Sequence, residues 1–344
     1  MVRNLKVTIG DVAKAAKVSK TTVSRIINGN YAHTTEETRM RVLKAIKDLD
    51  YRPNALAKGL KSMRTNVIGI VLSNFKNPFW TTVLEGVEDT CQELGYNLMV
   101  CNSNEEAETE EEYIREFQMR QVDGIIINPT VKNPNLYKKL VETNFPLVVI
   151  NRRIPNLETN NVIMDNLKGA YTAVDHLIKT GRKKVAVIAY DNSLVSTWSE
   201  RIEGYQLALL RNGYTIEDFL TLYLEQNSDK TKESIIAFLK NNPNIDALFS
   251  TNNMITLEIL GAIKQLNLQI PDDLGIVSYD DTIWAQYLAP PLTTIRQPAY
   301  RMGQMAAEIL IKTINEDKKQ VPKATVVLEP ELVIRDSSAT KLKK

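Results

Sequence analysis

Apolar positions in the first fifty residues recur at helical spacing in three short stretches. Val12, Ala13, Ala15 and Ala16 form a narrow apolar stripe, and Thr8 stands where it can cap the helix they predict. Ala16-Lys17-Val18 breaks the run. Ser19 then caps a second predicted helix, Lys20 to Ile27, with Val23, Ile26 and Ile27 on one side and Lys20, Thr21, Ser24 and Arg25 on the other. A third amphipathic stretch, about Thr35 to Leu49, offers Val42, Leu43, Ile46 and Leu49 to close a small core. Three helices with a tight turn between the first two predict a helix-turn-helix unit. The following stretch, Tyr51 to Lys61, opens with a proline suited to a helix's first turn and mixes small, basic and leucine positions. It has too little apolar surface to hold as a free helix, so it is expected to order only against a partner such as DNA.

From Thr65 the period changes. Strand-like apolar runs (Val67–Leu72, Leu98–Cys101, Gly124–Ile127, Leu147–Ile150, Val162–Met164, Val185–Ala189, Ala247–Ser250, Ile276–Tyr279) alternate with amphipathic helical stretches such as Pro78–Leu94, Glu110–Arg120, Asn166–Thr180, Glu200–Asn212, Lys230–Lys240 and Met254–Leu266. Alternation of this kind, with nearly continuous Val, Ile and Leu in the strands, predicts an α/β body of parallel, doubly wound sheets in two lobes. Such sheets bind ligands beyond the carboxyl ends of their strands. Polar side chains collect at those exits: Ser73-Asn74, Asn102-Ser103-Asn104, Asn128, Asn151-Arg152-Arg153, Asp191-Asn192, Asn252-Asn253 and Asp280-Asp281. Each alone is ordinary turn and cap chemistry. Together with the aromatics Phe79, Trp80 and Trp198 and with Arg201, they predict a polar-ligand cleft, in which rings face a sugar or a planar base and a guanidinium forks onto a carboxylate or paired hydroxyls.

Charge sharpens the division. Residues 1–64 carry 14 Lys and Arg against 5 Asp and Glu, whereas the remainder carries 29 against 36, so a net +2 conceals a basic head on a mildly acidic body. That asymmetry fits a nucleic-acid reader joined to something else. Cys91 and Cys101 cannot build a disulfide framework or a four-ligand zinc site, and no apolar run is long enough to span a membrane. With no apolar secretion signal at the N-terminus, the expectation is a cytoplasmic protein without metal or cofactor. Phosphate-loop, dinucleotide and nucleophile-elbow motifs are missing, and of the two histidines His33 sits in the basic head while His176, mid-helix with Leu177 and Ile178, reads as structural, so no nucleophile-base constellation supports an enzyme. The acidic run Glu105 to Glu112 reads as a solvated helix start. Two alternatives to a regulator stay open: a sugar-modifying enzyme with an appended DNA-binding head, which would turn its ligand over, and a solute-binding protein, which the basic head argues against.

The segment TIGDVAKAAKVSKTTVSRIINGN followed by YRPNALAKGL resembles the head and hinge of the LacI/GalR family of bacterial repressors. In the body, VDGIIINP, VIMDN, DHLIKTGRKKVAVI, the arginine of ERIEGY, IVSYDDT and PPLTTIRQP match the same family in order and spacing. The resemblance implies roles for particular residues. Lys20, Thr21 and Arg25 are implied as major-groove readers, and Thr8, Ser19, Thr22, Asn28 and His33 as residues at or beside phosphates. Asn54, Ala57 and Leu60 are implied to lie on a hinge helix in the minor groove, where Leu60 wedges into a base step. For the body the resemblance implies the periplasmic-binding-protein fold, with Phe79, Trp80, Asn151, Arg201, Asn252, Asp280 and Gln297 around a small-molecule effector. Asp165 matches a position tied to signalling between the lobes. The implied organisation is a head over 1–52, a hinge over 53–64 and a body over 65–344, with an N-lobe of about 65–164 and 298–325 and a C-lobe of about 165–297 and 326–338.

The implied function is a homodimeric repressor on a palindromic operator of double-stranded DNA. SSATKLKK at the C-terminus has no apolar heptads for a further coiled coil. NSNEEAETEEEYIREF and YDDTIWAQYLAPPLTTIRQPAY look similar to regulators of ketodeoxygluconate and related sugar-acid use, which implies a sugar or sugar-acid effector. A carboxylate on that ligand would meet Arg201 first, with Arg152 or Arg153 next.

Overall fold

A computed structural model describes residues 7–51, 64–191, 194–226, 228–316 and 323–339. The chain divides into two compact units that meet at Thr65 and Asn66.

The first unit is a three-helix cluster of α1 (Ile9–Ala15), α2 (Lys20–Ile27) and α3 (Glu36–Asp48). Val12, Ala13, Ala16, Val23, Ile26, Val42 and Ala45 make its core. Two positions depart from the stripe pattern. Ala15 is exposed and Leu43 is 40% exposed, while Ala45 takes the inward place. On α3 the inward face runs through Val42, Ala45, Ile46 and Leu49, spaced three and four apart, which turns Leu43 away. Caps set the helix starts as the sequence suggests. Ser19 Oγ accepts the Thr22 N–H at 3.0 Å, and the Thr35 hydroxyl accepts the Thr38 N–H at 3.3 Å.

The second unit holds two six-stranded sheets. One contains, in spatial order, β11 (Thr325–Leu328), β5 (Asn160–Met164), β4 (Leu147–Ile150), β3 (Gly124–Ile127), β1 (Val67–Leu72) and β2 (Asn97–Asn102), all parallel. The other contains β12 (Glu331–Val333), β10 (Thr293–Arg296), β9 (Gly275–Tyr279), β8 (Ala247–Ser250), β6 (Val185–Tyr190) and β7 (Leu220–Leu224), with only β12 antiparallel. In both sheets the strand order reverses near the middle, at β1/β3 and at β6/β8, and such switch points are where doubly wound sheets open a crevice.

Helices α4 (Pro78–Glu93), α5 (Ala107–Met119), α6 (Pro134–Glu142) and α11 (Ala299–Asn315) cover the first sheet; α7 (Asn166–Lys179), α8 (Ser196–Arg211), α9 (Thr231–Asn241) and α10 (Asn253–Leu266) cover the second. The chain passes between sheets three times: between β5 and α7, between β10 and α11, and between β11 and β12. The last passage lies later than expected from a lobe boundary at 325/326, because Thr325–Leu328 pairs along its whole length with Asn161–Met164. Close helix packing fixes the elements that carry the site. A Cβ on Gly303 would lie 1.9 Å from the Val83 carbonyl oxygen, so only glycine lets α11 approach α4 this closely. Gly204 does the same for α8 against α7, where a Cβ would lie 2.3 Å from the Leu167 oxygen.

Candidate functional site

Strand exits of both sheets surround one cavity of about 350 Å³. Its first wall comes from the first sheet: Ser73 and Asn74 beyond β1, Phe79 and Trp80 at the start of α4, Asn104 and Glu105 beyond β2, and Asn151 and Arg152 beyond β4. The facing wall is Tyr190 at the end of β6, Thr197, Trp198 and Arg201 on α8, Asn252 beyond β8, Asp280 beyond β9 and Gln297 beyond β10. All seven body residues expected around a ligand therefore line the same space. Lys76, Asn77, Gln226 and Met254 complete it and had no distinct signal in the sequence.

The backbone turns that aim these side chains are tight. Asn151 and Asp280 both take left-handed conformations, at φ 63° and 72°, a geometry that Asn and Asp tolerate better than most residues. Arg201 is 4% exposed. Its Nε donates to Asn166 Oδ1 at 2.9 Å and its Nη1 to the Thr251 carbonyl at 2.6 Å, while its guanidinium stacks over the Tyr279 ring at 3.5 Å. These contacts fix its plane without a carboxylate partner within 4.0 Å among the described residues. Asp280 is 5% exposed, and burial holds its carboxyl above the ordinary range, opposed by the Arg201 charge and by a hydrogen bond that the Gln297 amide donates. Burial, with the charges of Glu258 and Glu105, pushes the Tyr190 phenol up to about 12, so it remains a neutral donor.

Two buried acceptors in this cavity, Asn151 Oδ1 and Gln297 Oε1, have no hydrogen-bond partner among the described residues. Buried polar atoms are normally satisfied. With aromatic rings at both walls, this set of oriented amides, carboxylates and one ion-pair-free guanidinium is suited to holding a hydroxyl-rich molecule. Among the described residues there is no cluster of His, Cys, Asp and Glu able to hold a metal. Hydrogen bonds tie the two walls together. Asn253 Nδ2 donates to Asn77 Oδ1 at 2.9 Å, and the Arg153 N–H donates to Ser196 Oγ at 3.0 Å.

Several expectations need correction. Glu105 and Glu110 are buried and do not belong to a solvated helix start. Glu105 pairs with Arg152, and Glu110 accepts from Tyr137 and, at 2.8 Å, from the Thr130 N–H. Arg152 is thus already committed to a carboxylate. Arg153 lies off the cavity, exposed and 3.6 Å from Glu200. Two other residues need no such correction: His176, expected to be structural, shares a 2.8 Å hydrogen bond with Ser338 Oγ through Nε2, and Asp165 caps α7 by accepting the Lys168 N–H.

The head displays a second candidate surface. Lys20, Thr21 and Arg25 are exposed together on α2. Ser19 and Thr22 spend their hydroxyls on the cap, 2.9 Å apart, and Thr8 donates its N–H and hydroxyl to Asp11. Asn28 is exposed at the end of α2, its amide donating to the Ser24 carbonyl, and His33 is exposed in the turn before α3 at φ 67°. Asn54, Ala57 and Leu60 lie outside the described residues.

Known proteins resemble the chain over nearly all its length. Residues 65–329 match the family described as periplasmic binding proteins and sugar binding domain of LacI family, and residues 8–54 match bacterial regulatory proteins, lacI family. The HTH-type transcriptional regulator KdgR of Bacillus subtilis is 35% identical over 334 residues, covering 96% of this chain and 97% of that protein. The HTH-type transcriptional repressor PurR of Aliivibrio fischeri is 33% identical over 340 residues, with 98% and 99% covered. Among solved structures, a complex of the transcriptional regulator CelR with cellobiose shares 29% identity at a TM-score of 0.70, covering 96% of this chain and 99% of that one. The lac repressor dimer bound to operator and the anti-inducer ONPF shares the fold at a TM-score of 0.83 and 24% identity, with 97% and 99% covered.

Proposed function

The chain belongs to the LacI family of bacterial DNA-binding transcriptional regulators, and on that premise we propose that it is a cytoplasmic repressor which binds a palindromic operator as a homodimer and is switched by a sugar or sugar acid held between the lobes of its body. It is a regulator and not an enzyme, as its relatives are. The observation that carries the proposal is the convergence of residues from distant strand exits on one cavity, with two buried acceptors that have no partner among the described residues. A relative solved with cellobiose supports the ligand class, and the repressor name of another supports the direction of control.

Lys20, Thr21 and Arg25 would read base edges in the major groove, while Thr8, Ser19, Thr22, Asn28 and His33 position the head on phosphates. In the body, Phe79, Trp80 and Trp198 would face the apolar side of the ligand, and Asn151, Arg201, Asn252, Asp280 and Gln297 would exchange hydrogen bonds with its hydroxyls. A ligand switches the protein only by favouring one lobe arrangement over another. A coupling of ~1–3 kcal/mol changes operator affinity about five- to 150-fold.

The test is a thermal-shift panel of sugars, sugar acids and purines on the full chain, followed by operator titrations with each hit, because a ligand that binds the native state raises its apparent stability. The expected result is a stabilising sugar or sugar acid that also changes affinity for an inverted-repeat sequence over scrambled DNA. Stabilisation by purines alone would refute the effector class, and no preference for any inverted repeat would refute the repressor reading.

A further inference from the structure

Two buried arginines in the same cavity differ in how a carboxylate holds them: the Arg201 charge acts on Asp280 without a direct ion pair, and Arg152 is clamped by one. Arg201 meets no carboxylate within 4.0 Å among the described residues. Arg152, 3% exposed, is clamped by Glu105, 8% exposed, through Nη1 to Oε2 at 2.7 Å and Nη2 to Oε1 at 2.6 Å. Arg152 Nη1 also donates to the Pro129 carbonyl at 2.9 Å, and the guanidinium lies 5.4 Å from the centre of the Trp198 ring on the facing wall. Glu105 reaches this place through a turn in which both Asn104 and Glu105 adopt positive φ, 51° and 64°. For a glutamate that conformation is strained, so something must hold it. Arg152 does, and the Lys132 ammonium adds a 2.9 Å hydrogen bond to the Glu105 carbonyl.

The pair is not chemically exhausted. Of the five N–H bonds on Arg152, one on Nη2 and the one on Nε have no partner among the described residues, and Nε is buried. Each Glu105 oxygen accepts one hydrogen bond from Arg152 and keeps room for a second. This stretch of wall therefore offers donors and acceptors side by side with no net charge. Vicinal hydroxyls, which both give and take hydrogen bonds, fit it. A ligand carboxylate here would stand beside the largely buried Glu105 carboxylate, and like charges close together in low dielectric repel strongly.

We propose that the Glu105–Arg152 pair is a specificity element: it reserves the Trp198 end of the cavity for the neutral hydroxyls of a polyol and directs any acidic group of the effector toward Arg201 and Lys76. The inference rests on the sugar or sugar-acid reading above and refines it. It removes Arg152 as a carboxylate receptor and makes Glu105, from the acidic run beyond β2, a discriminating residue.

Opposite-sign variants test it. Affinities of the full chain would be measured calorimetrically for matched probes, glucose with glucuronate and galactose with galacturonate, alongside gluconate and 2-keto-3-deoxygluconate. Glu105→Gln frees the Arg152 charge and is expected to shift the acid-to-neutral affinity ratio about tenfold toward the acid, whereas Arg152→Gln leaves the Glu105 charge and shifts it about tenfold the other way. If either single variant fails to fold, the uncharged pair Glu105→Gln with Arg152→Met is expected to keep the wild-type ratio while losing affinity for both probes. An unchanged ratio in the single variants, shifts of the same sign, or an altered ratio in the double variant would overturn the inference alone. Binding of none of these probes by any of the chains would overturn the polyol reading itself, and the inference with it.

Discussion

Among the described residues the head buries no charged side chain, whereas the body takes several of its charges inside. On α2, Lys20 and Arg25 are exposed, and the core beneath them is a handful of small aliphatic side chains such as Val12, Val23 and Val42. In the body Glu105, Glu110, Arg152, Arg182, Arg201 and Asp280 are all no more than 8% exposed. Such burial persists only where each charge has partners. Arg182 donates to the carbonyls of Asp246, Pro271 and Ala339, and Glu110 accepts from Tyr137 and Thr130. The two arrangements answer to different variables. Exposed charge on a DNA reader couples to ionic strength, because binding releases counterions. Buried charge is largely shielded from salt and couples to ligand and to pH.

Salt is the largest lever expected. If the head neutralises about six to ten phosphates, operator affinity should fall by about 10³–10⁵ between roughly 50 and 200 mM salt. Affinity for a neutral effector should hold nearly constant over the same range. Fluorescence anisotropy on labelled operator and calorimetry on the effector measure the two sides; parallel losses would erase the contrast between head and body.

Next in size is Arg201→Ala. It leaves Asn166 Oδ1 and the Thr251 carbonyl without this donor and removes a cation that has no carboxylate within 4.0 Å among the described residues. Truncating a buried hydrogen-bonded charge at an interface typically costs about 2–5 kcal/mol. The effector response should vanish while effector-free operator binding stays close to wild type, and a normal dose response would take Arg201 off the ligand. Arg25→Ala should cost less, about 1–3 kcal/mol of discrimination at one base pair of each half-site. Selection from randomised operators should show a flattened position with unchanged effector binding; an unaltered profile would rule out direct reading by this residue.

The same contrast explains what could be read from the sequence. In the head, function is local. Ser19 caps Lys20–Ile27, so periodicity gives the helix and its outward polar face, while the reader roles on that face come from the family resemblance. Strands buried on both faces, such as Val67–Leu72, were equally plain as unbroken apolar runs. Legibility failed where burial depends on a distant partner. Glu105 lies 47 residues from Arg152, and Glu110 lies 20 from Thr130 and 27 from Tyr137, so a run rich in glutamate looked solvated. Edge elements were also obscure. Thr325–Leu328 and Glu331–Val333 are short and only partly buried, so they show no long apolar run, and the register with Asn161–Met164 is what reveals the late passage between lobes. The seven cavity residues were legible mainly through the family resemblance, since strand exits by themselves also gather ordinary caps.

The smallest predicted effect separates the two regions by the sign of a pH slope. Burial raises the Glu110 carboxyl above the ordinary glutamate range, against the pull of Tyr137, Thr130 and Arg152. The native state therefore holds that proton more tightly than the unfolded chain does. Its contribution to stability declines as pH climbs from the ordinary glutamate value through the native one. Asp11 in the head is the reverse case: hydrogen bonds from the Thr8 hydroxyl and N–H hold its carboxyl below the ordinary aspartate range. Its contribution is present above the unfolded value and is lost as pH falls through the native one. Urea midpoints across the acid-to-neutral range should accordingly show Glu110→Gln gaining on wild type as pH rises. Thermal melts of the head should show Asp11→Asn losing ground over the same rise. Slopes of one sign in both would mean that the body's buried carboxylate is as well solvated as the head's, and the distinction between an outward-facing and an inward-facing use of charge would fall.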